Sequence, residues 1–383
     1  MAEKPLRIVS ADSHFIEPPD LFTSRIPEKF RDRAPRTAWL ESSGGFEGEF
    51  WIAPDQVAAE PRAVATYWGA GTPIAEVREM NKRGYGAAPD FVFDPAARLK
   101  AQDRDGVAAE VMYTSAGMGL FRVEDGELRR ACFAAFNSWA AEYCGYDLDR
   151  LQGCAIIDVD DIDAGCKELE RAATLGLRAG MIPGKPVEGR PYSLKDYDKL
   201  WATAQEVDIP LALHVHTSRA PIVSVPFVEP VMCITDIQES LSHMLIGGVF
   251  ERFPGLKVIL TEVDASWIPH YLHRADHYFK RYANGAGFSM IPSEYMRRNV
   301  WVTFQDEGRN IPYAADLFGA DRLMWASDFP HMNSTYPQTR QFLEGSFPGM
   351  SRDDVQRIVA DNAIELYKLS TPAAAGAAAL SPA

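Results

Sequence analysis

Asp12 and His14 are two residues apart, just after the apolar run Leu6–Val9. On a strand that spacing puts both side chains on one face. A carboxylate and an imidazole on one face form half of a divalent-metal site. Three later apolar runs end in similar chemistry. PLAL leads into His214 and His216, LKVIL into Glu262 and Asp264, and RLMWA into Asp328 and His331.

A lone histidine at a strand end is usually a polar cap. Four convergent donors are different, because clustered carboxylates and imidazoles are costly to bury without a cation. Asp12, His14, His214 and Asp328 are therefore the expected metal ligands. Their mixed nitrogen and oxygen donors suit Zn²⁺, Mn²⁺ or Fe²⁺ better than Ca²⁺ or Mg²⁺, and one ion, zinc or manganese, is expected. Asp328, Glu262 and His331 are the candidate acid–base groups. His216, Arg219 and Trp267 are the candidate substrate contacts. His273 and His277 have i,i+4 spacing on a helix, but no glutamate accompanies them as in HExxH.

These residues can meet only if their strands are parallel and share one rim. The order of elements predicts such a frame. After the first strand, helices near residues 94–105, 126–150, 162–175, 194–207, 234–253, 268–282, 314 and 352–369 alternate with seven more β-rich runs. Eight βα units predict an α/β fold, a closed (β/α)8 TIM barrel, whose sites lie at the C-terminal ends of the strands. An open doubly wound sheet would carry a Gly-rich turn after its first strand, where this chain has SADSHF. Residues 1–370 are read as one barrel. Within them 18–93 form an insertion too long for a plain loop, read as a lid or dimer arm. Residues 371–383 read as a disordered tail.

The chain has 383 residues, 46% of them hydrophobic, with 39 basic and 53 acidic side chains and a formal charge of −14. That charge would repel nucleic acid and anionic membranes, so a small molecule is the expected partner. No apolar run reaches the roughly 18 residues of a membrane span. The N-terminus lacks the apolar core of a leader. Five scattered cysteines without a CxxC pair suggest reduced thiols, hence the cytoplasm. The aromatic-rich insertion suggests a homodimer.

The motifs DSHFIEPPDLF, PLALHVH, TEVDASWIPHYL, RLMWASDFPH and DNAIELYKL resemble the amidohydrolase superfamily, in its amidohydrolase-related branch. That branch includes aminocarboxymuconate-semialdehyde, hydroxybenzoate and carboxyvanillate decarboxylases together with hydrolases. The resemblance spans Leu6 to Leu369 and implies the same four ligands. Asp12 replaces the first histidine of the His-x-His pair common among the hydrolases, which is closer to the decarboxylases. Glu262 stands where those decarboxylases keep a histidine. No lysine is evident on the fourth strand to bridge two metals. The resemblance implies a metal-dependent enzyme acting on a small cyclic or aromatic acid, by non-oxidative decarboxylation. The alternatives are hydrolysis of a C–N, ester, lactone or C–C bond, or a non-catalytic binding relic.

Overall fold

The computed structural model describes residues 5–43, 45–52, 61–218, 228–283 and 287–370. Among the described residues eleven strands follow one another. They are β1 (Val9–His14), β2 (Arg36–Ser43), β3 (Phe46–Ile52), β4 (Arg62–Ala63), β5 (Ala109–Tyr113), β6 (Leu151–Ile156), β7 (Ala179–Pro183), β8 (Leu211–His214), β9 (Val258–Thr261), β10 (Val300–Phe304) and β11 (Leu323–Trp325). Eight of them pair in parallel in the order β1-β5-β6-β7-β8-β9-β10-β11. The circuit nearly closes through two backbone bonds beyond β11. Asp328 N–H donates to Asp12 O (3.0 Å), and His14 N–H donates to Phe329 O (2.7 Å). The eight expected strands thus form a (β/α)8 barrel. Most of their residues are fully buried, as expected for parallel strands covered on both faces.

Aspartate caps set three of the helix starts. Asp94, Asp125 and Asp161 each accept backbone N–H bonds from the first turns of Pro95–Asp105, Gly126–Cys144 and Ile162–Thr174. Some helices differ from their sequence expectation. The 126–150 helix ends at Cys144, and residues 145–150 turn instead. The 234–253 helix is broken at Gly247–Gly248, where Gly248 takes φ 73°. The insertion is also more regular than expected, since β2, β3 and β4 form a small antiparallel sheet. The tail at 371–383 lies outside the described residues.

One buried ion pair fastens the barrel seam. Arg98 and Glu110 pair out of solvent. Arg98 also donates through Nη1 to His14 O (3.1 Å) and through Nη2 to Phe329 O (3.0 Å). One guanidinium thereby fixes the ends of the first and last barrel strands. Arg98→Met leaves Glu110 as a buried charge and should cost about 3–5 kcal/mol, read by denaturant unfolding.

The same helix ends at Asp105, whose Oδ1 accepts from Thr339 N–H (2.9 Å). Burial pushes the Asp105 carboxyl up to about 6. An unfolded aspartate titrates near pH 3.9. Folding therefore favours the protonated form, a contribution that is fully present below pH ~4 and lost as pH rises through ~6. Asp105→Asn lacks this titration, so wild type should lose up to about 3 kcal/mol relative to the variant between those limits. Urea unfolding at pH 4.5 and 7.5 measures it.

Candidate metal centre and substrate cavity

The four expected ligands meet at the C-terminal mouth of the barrel. His14 Nε2 lies 3.6 Å from Asp12 Oδ1 and 3.1 Å from Asp328 Oδ1. His214 Nε2 lies 3.7 Å from Asp12 Oδ1. The far side of each imidazole faces a carbonyl. His14 Nδ1 is 3.1 Å from Thr114 O, and His214 Nδ1 is 2.9 Å from Val215 O. A carbonyl can only accept, so both rings carry their proton on Nδ1 and turn an Nε2 lone pair inward.

Asp12 Oδ1, His14 Nε2, His214 Nε2 and Asp328 Oδ1 are buried and lack any hydrogen-bond partner. Four converging acceptors repel one another unless a cation lies among them. Ligands held at about 2.1 Å from one tetrahedral ion would stand about 3.4 Å apart, close to the His14–Asp12, His14–Asp328 and His214–Asp12 separations. The residues therefore fit one divalent ion. Glu262 is close by, but it approaches the protonated Nδ1 of His214, at 3.8 Å. It groups within 4.8 Å of Asp12, His14 and His214, whereas Asp328 groups with His14 and His331.

Asp328 also faces His331, whose Nδ1 lies 2.8 Å from Asp328 Oδ1 without hydrogen-bond alignment. Burial pushes the Asp328 carboxyl up, but the neighbouring His331 outweighs that and holds it below the usual carboxylate range. The His331 ring stacks on His14 at 3.9 Å. Its Nε2 lies 2.8 Å from Ser115 Oγ, which itself donates to Phe15 O (2.7 Å). His331 is thus clamped between the metal cluster and the loop after β5.

The backbone at this rim is strained. His216, Glu262, Asp264 and Asp328 all have φ between 54° and 63° without being glycine. Such residues cost about 1 kcal/mol or more each and gather at functional sites.

A cavity of about 290 Å³ opens beside the cluster, with Asp328, His331, Glu262 and His216 on its wall. Phe22, Trp51, Arg62 and Tyr67 of the insertion line it too. Two expected substrate contacts are not found there. Trp267 turns away, with its indole N–H bonded to Val263 O (2.9 Å) and Asp264 O (3.1 Å) and its ring edge-on to Tyr271. It packs the loop after β9 rather than lining the cavity. Arg219 lies outside the described residues.

Other contributors had no clear mark in the sequence. Glu17 is buried, and burial raises its pKa. It accepts from Thr114 Oγ1 and from the backbone N–H groups of Ser115 (3.2 Å), Ala116 (3.1 Å) and Gly117 (3.2 Å). It therefore holds the loop that presents Ser115 to His331.

A sequence profile described as amidohydrolase matches residues 39–369. The chain belongs to the amidohydrolase family. Within the family, it is 26% identical over 289 residues to the decarboxylase orsB of Emericella nidulans, covering 71% of this chain and 85% of that one. Its fold matches an amidohydrolase from Mycobacterium avium subsp. paratuberculosis with TM-score 0.73 at 21% identity, over 95% of this chain and 100% of the other. It also matches a dihydroxybenzoic acid decarboxylase from Polaromonas sp. JS666, solved with manganese and 2-nitroresorcinol. That match has TM-score 0.62 at 21% identity, over 78% of this chain and 91% of the other. Among the described residues no helix is long and apolar enough to cross a membrane.

Proposed function

We propose that this protein is a metal-dependent carboxy-lyase that removes CO₂ from a small aromatic or cyclic acid without oxidation. Asp12, His14, His214 and Asp328 hold one divalent ion, manganese or zinc. The observation that carries the reading is the set of four buried, unsatisfied acceptors with Asp328 placed between them and His331. The decarboxylases among its relatives, one of them solved with manganese, support the same reading. They give the hydrolytic alternative no comparable support, although hydrolysis would use the same residues.

When bound, the ion acts as a Lewis acid and a template for the substrate carboxylate and a neighbouring oxygen. The rest falls to the chain. The cavity wall of Phe22, Trp51 and Leu120 packs the ring and excludes water. Asp328 is ionised at rest, so the proton for the ring carbon bearing the carboxylate starts on His331, 2.8 Å away, and Asp328 passes it on. The C–C bond then breaks, its electron pair restores the ring, and CO₂ leaves. His331 takes a replacement proton from solvent. Glu262 lies at the solvent side of His214 and serves as a relay, and His216 contacts the substrate. The net change is one proton taken up and one CO₂ released.

Residues 1–370 are read as one domain whose 18–93 segment is a lid or a dimer arm, in a homodimer. The absence of a disulfide among the five cysteines fits a cytoplasmic protein. A screen of hydroxyaryl acids, esters and amides, recording CO₂ and new carboxylates in parallel, tests the reaction. CO₂ in equal amount to a product with one carboxylate fewer is expected. New carboxylates without CO₂ would mean a hydrolase.

A further inference from the structure

His273 and His277 take no part in the barrel site. They stand four residues apart on the helix Ile268–Tyr282, which follows β9. That spacing is just over one helical turn, so both side chains rise from the same face. Both are exposed, and neither lines the cavity at the barrel mouth. Their rings are tilted by only 19° to each other, with centroids 6.4 Å apart. His277 also meets the Tyr278 ring edge-on at 5.2 Å. Among the described residues neither imidazole shares a hydrogen bond or an ion pair, so their ring nitrogens are open to a ligand. Arg274, the cation next to His273 in sequence, lies over the Tyr278 ring, 5.2 Å from its centroid.

The helix beneath the pair is anchored. Ile268, Leu272 and Phe279 are buried on its other side. Asp276 accepts from Ser293 N–H (2.9 Å) and from Ser293 Oγ (2.7 Å) at the start of the next helix, Pro292–Asn299. The turn that carries both histidines is thus fixed before any ligand arrives, which lowers the cost of binding one.

We propose that His273 and His277 form a second metal site, a two-imidazole chelate for Cu²⁺, Ni²⁺ or Zn²⁺ on the outer face of the barrel. Two nitrogens bound to one ion at about 2.1 Å stand roughly 3 Å apart. Exposed rings one turn apart reach that spacing by turning about their side-chain bonds, with no change in the backbone. Imidazole suits these ions, and affinity for a given site is weakest for Mn²⁺ among them. The barrel cluster offers carboxylates as well as imidazoles, which manganese accepts. The surface pair offers nitrogen alone and passes manganese by. No glutamate lies between the histidines to act as a base, so the pair binds metal without a hydrolytic role. The number of ions held per chain therefore depends on the element supplied, whatever reaction the barrel performs.

The test counts ions. Chelator-stripped protein is dialysed against zinc, nickel or manganese, and the bound metal is measured by elemental analysis. Wild type should hold one more zinc or nickel ion per chain than manganese ion. His273→Gln and His277→Gln should each lower the zinc and nickel counts by one. Both should leave the manganese count, the circular dichroism and the CO₂ released with manganese unchanged. Equal zinc and manganese counts in wild type, or an extra zinc ion that survives either substitution, would overturn the site.

Discussion

Asp328→Asn should lower kcat by about 10²–10⁴-fold while leaving most of the bound metal in place. The side chain keeps its size, and an amide oxygen can still face His14 Nε2, 3.1 Å away in wild type. The amide has no proton to give at neutral pH, so the chemistry is lost even though the site remains. The left-handed backbone at Asp328, with φ 54°, also tolerates asparagine better than most residues. The barrel should therefore stay folded and substrate KM should change little. Metal content by elemental analysis, taken beside kcat, separates the two roles. Near-normal kcat with metal bound would transfer the acid role to His331 or Glu262.

His214→Ala should act the other way, through the metal. It removes one of two neutral nitrogen donors. Metal affinity should fall by more than the roughly 10–100-fold that changes beyond the ligand shell cost. Activity should fall to background at micromolar metal and recover only in part at high metal. The metal-free variant should unfold at or above the wild-type midpoint, because one of four mutually repelling buried acceptors is gone. Calorimetric metal titration and thermal melts of stripped protein check both statements. A variant that binds metal as wild type does would remove His214 from the ligand set.

The sequence made the metal cluster legible because its logic is local. A two-residue spacing on β1 and polar ends on apolar runs single out Asp12, His14, His214 and Asp328 as candidate ligands without knowledge of the tertiary contacts. The alternation of strands and helices made the barrel legible for a similar reason. Contributors that act across long sequence separations were not. Arg98 reaches Phe329 over 231 residues, and Ser115 meets His331 over 216. No pattern within a helix or loop marks such a partner. Trp267 misled because proximity to a strand end says nothing about which way a side chain turns, and its indole found backbone carbonyls three and four residues back. The insertion's sheet stayed hidden because its strands do not alternate cleanly. Trp39 is 56% exposed, whereas Phe50 and Trp51 are adjacent and both buried.

The most direct test of a one-metal decarboxylase is a single titration. Protein stripped by chelator is given manganese in steps, and CO₂ release from the best substrate is recorded against ions bound per chain. CO₂ release should start from nothing, rise in proportion to bound manganese and level off at one ion per chain. Full release from the stripped protein, or release that begins only with a second ion, would contradict it.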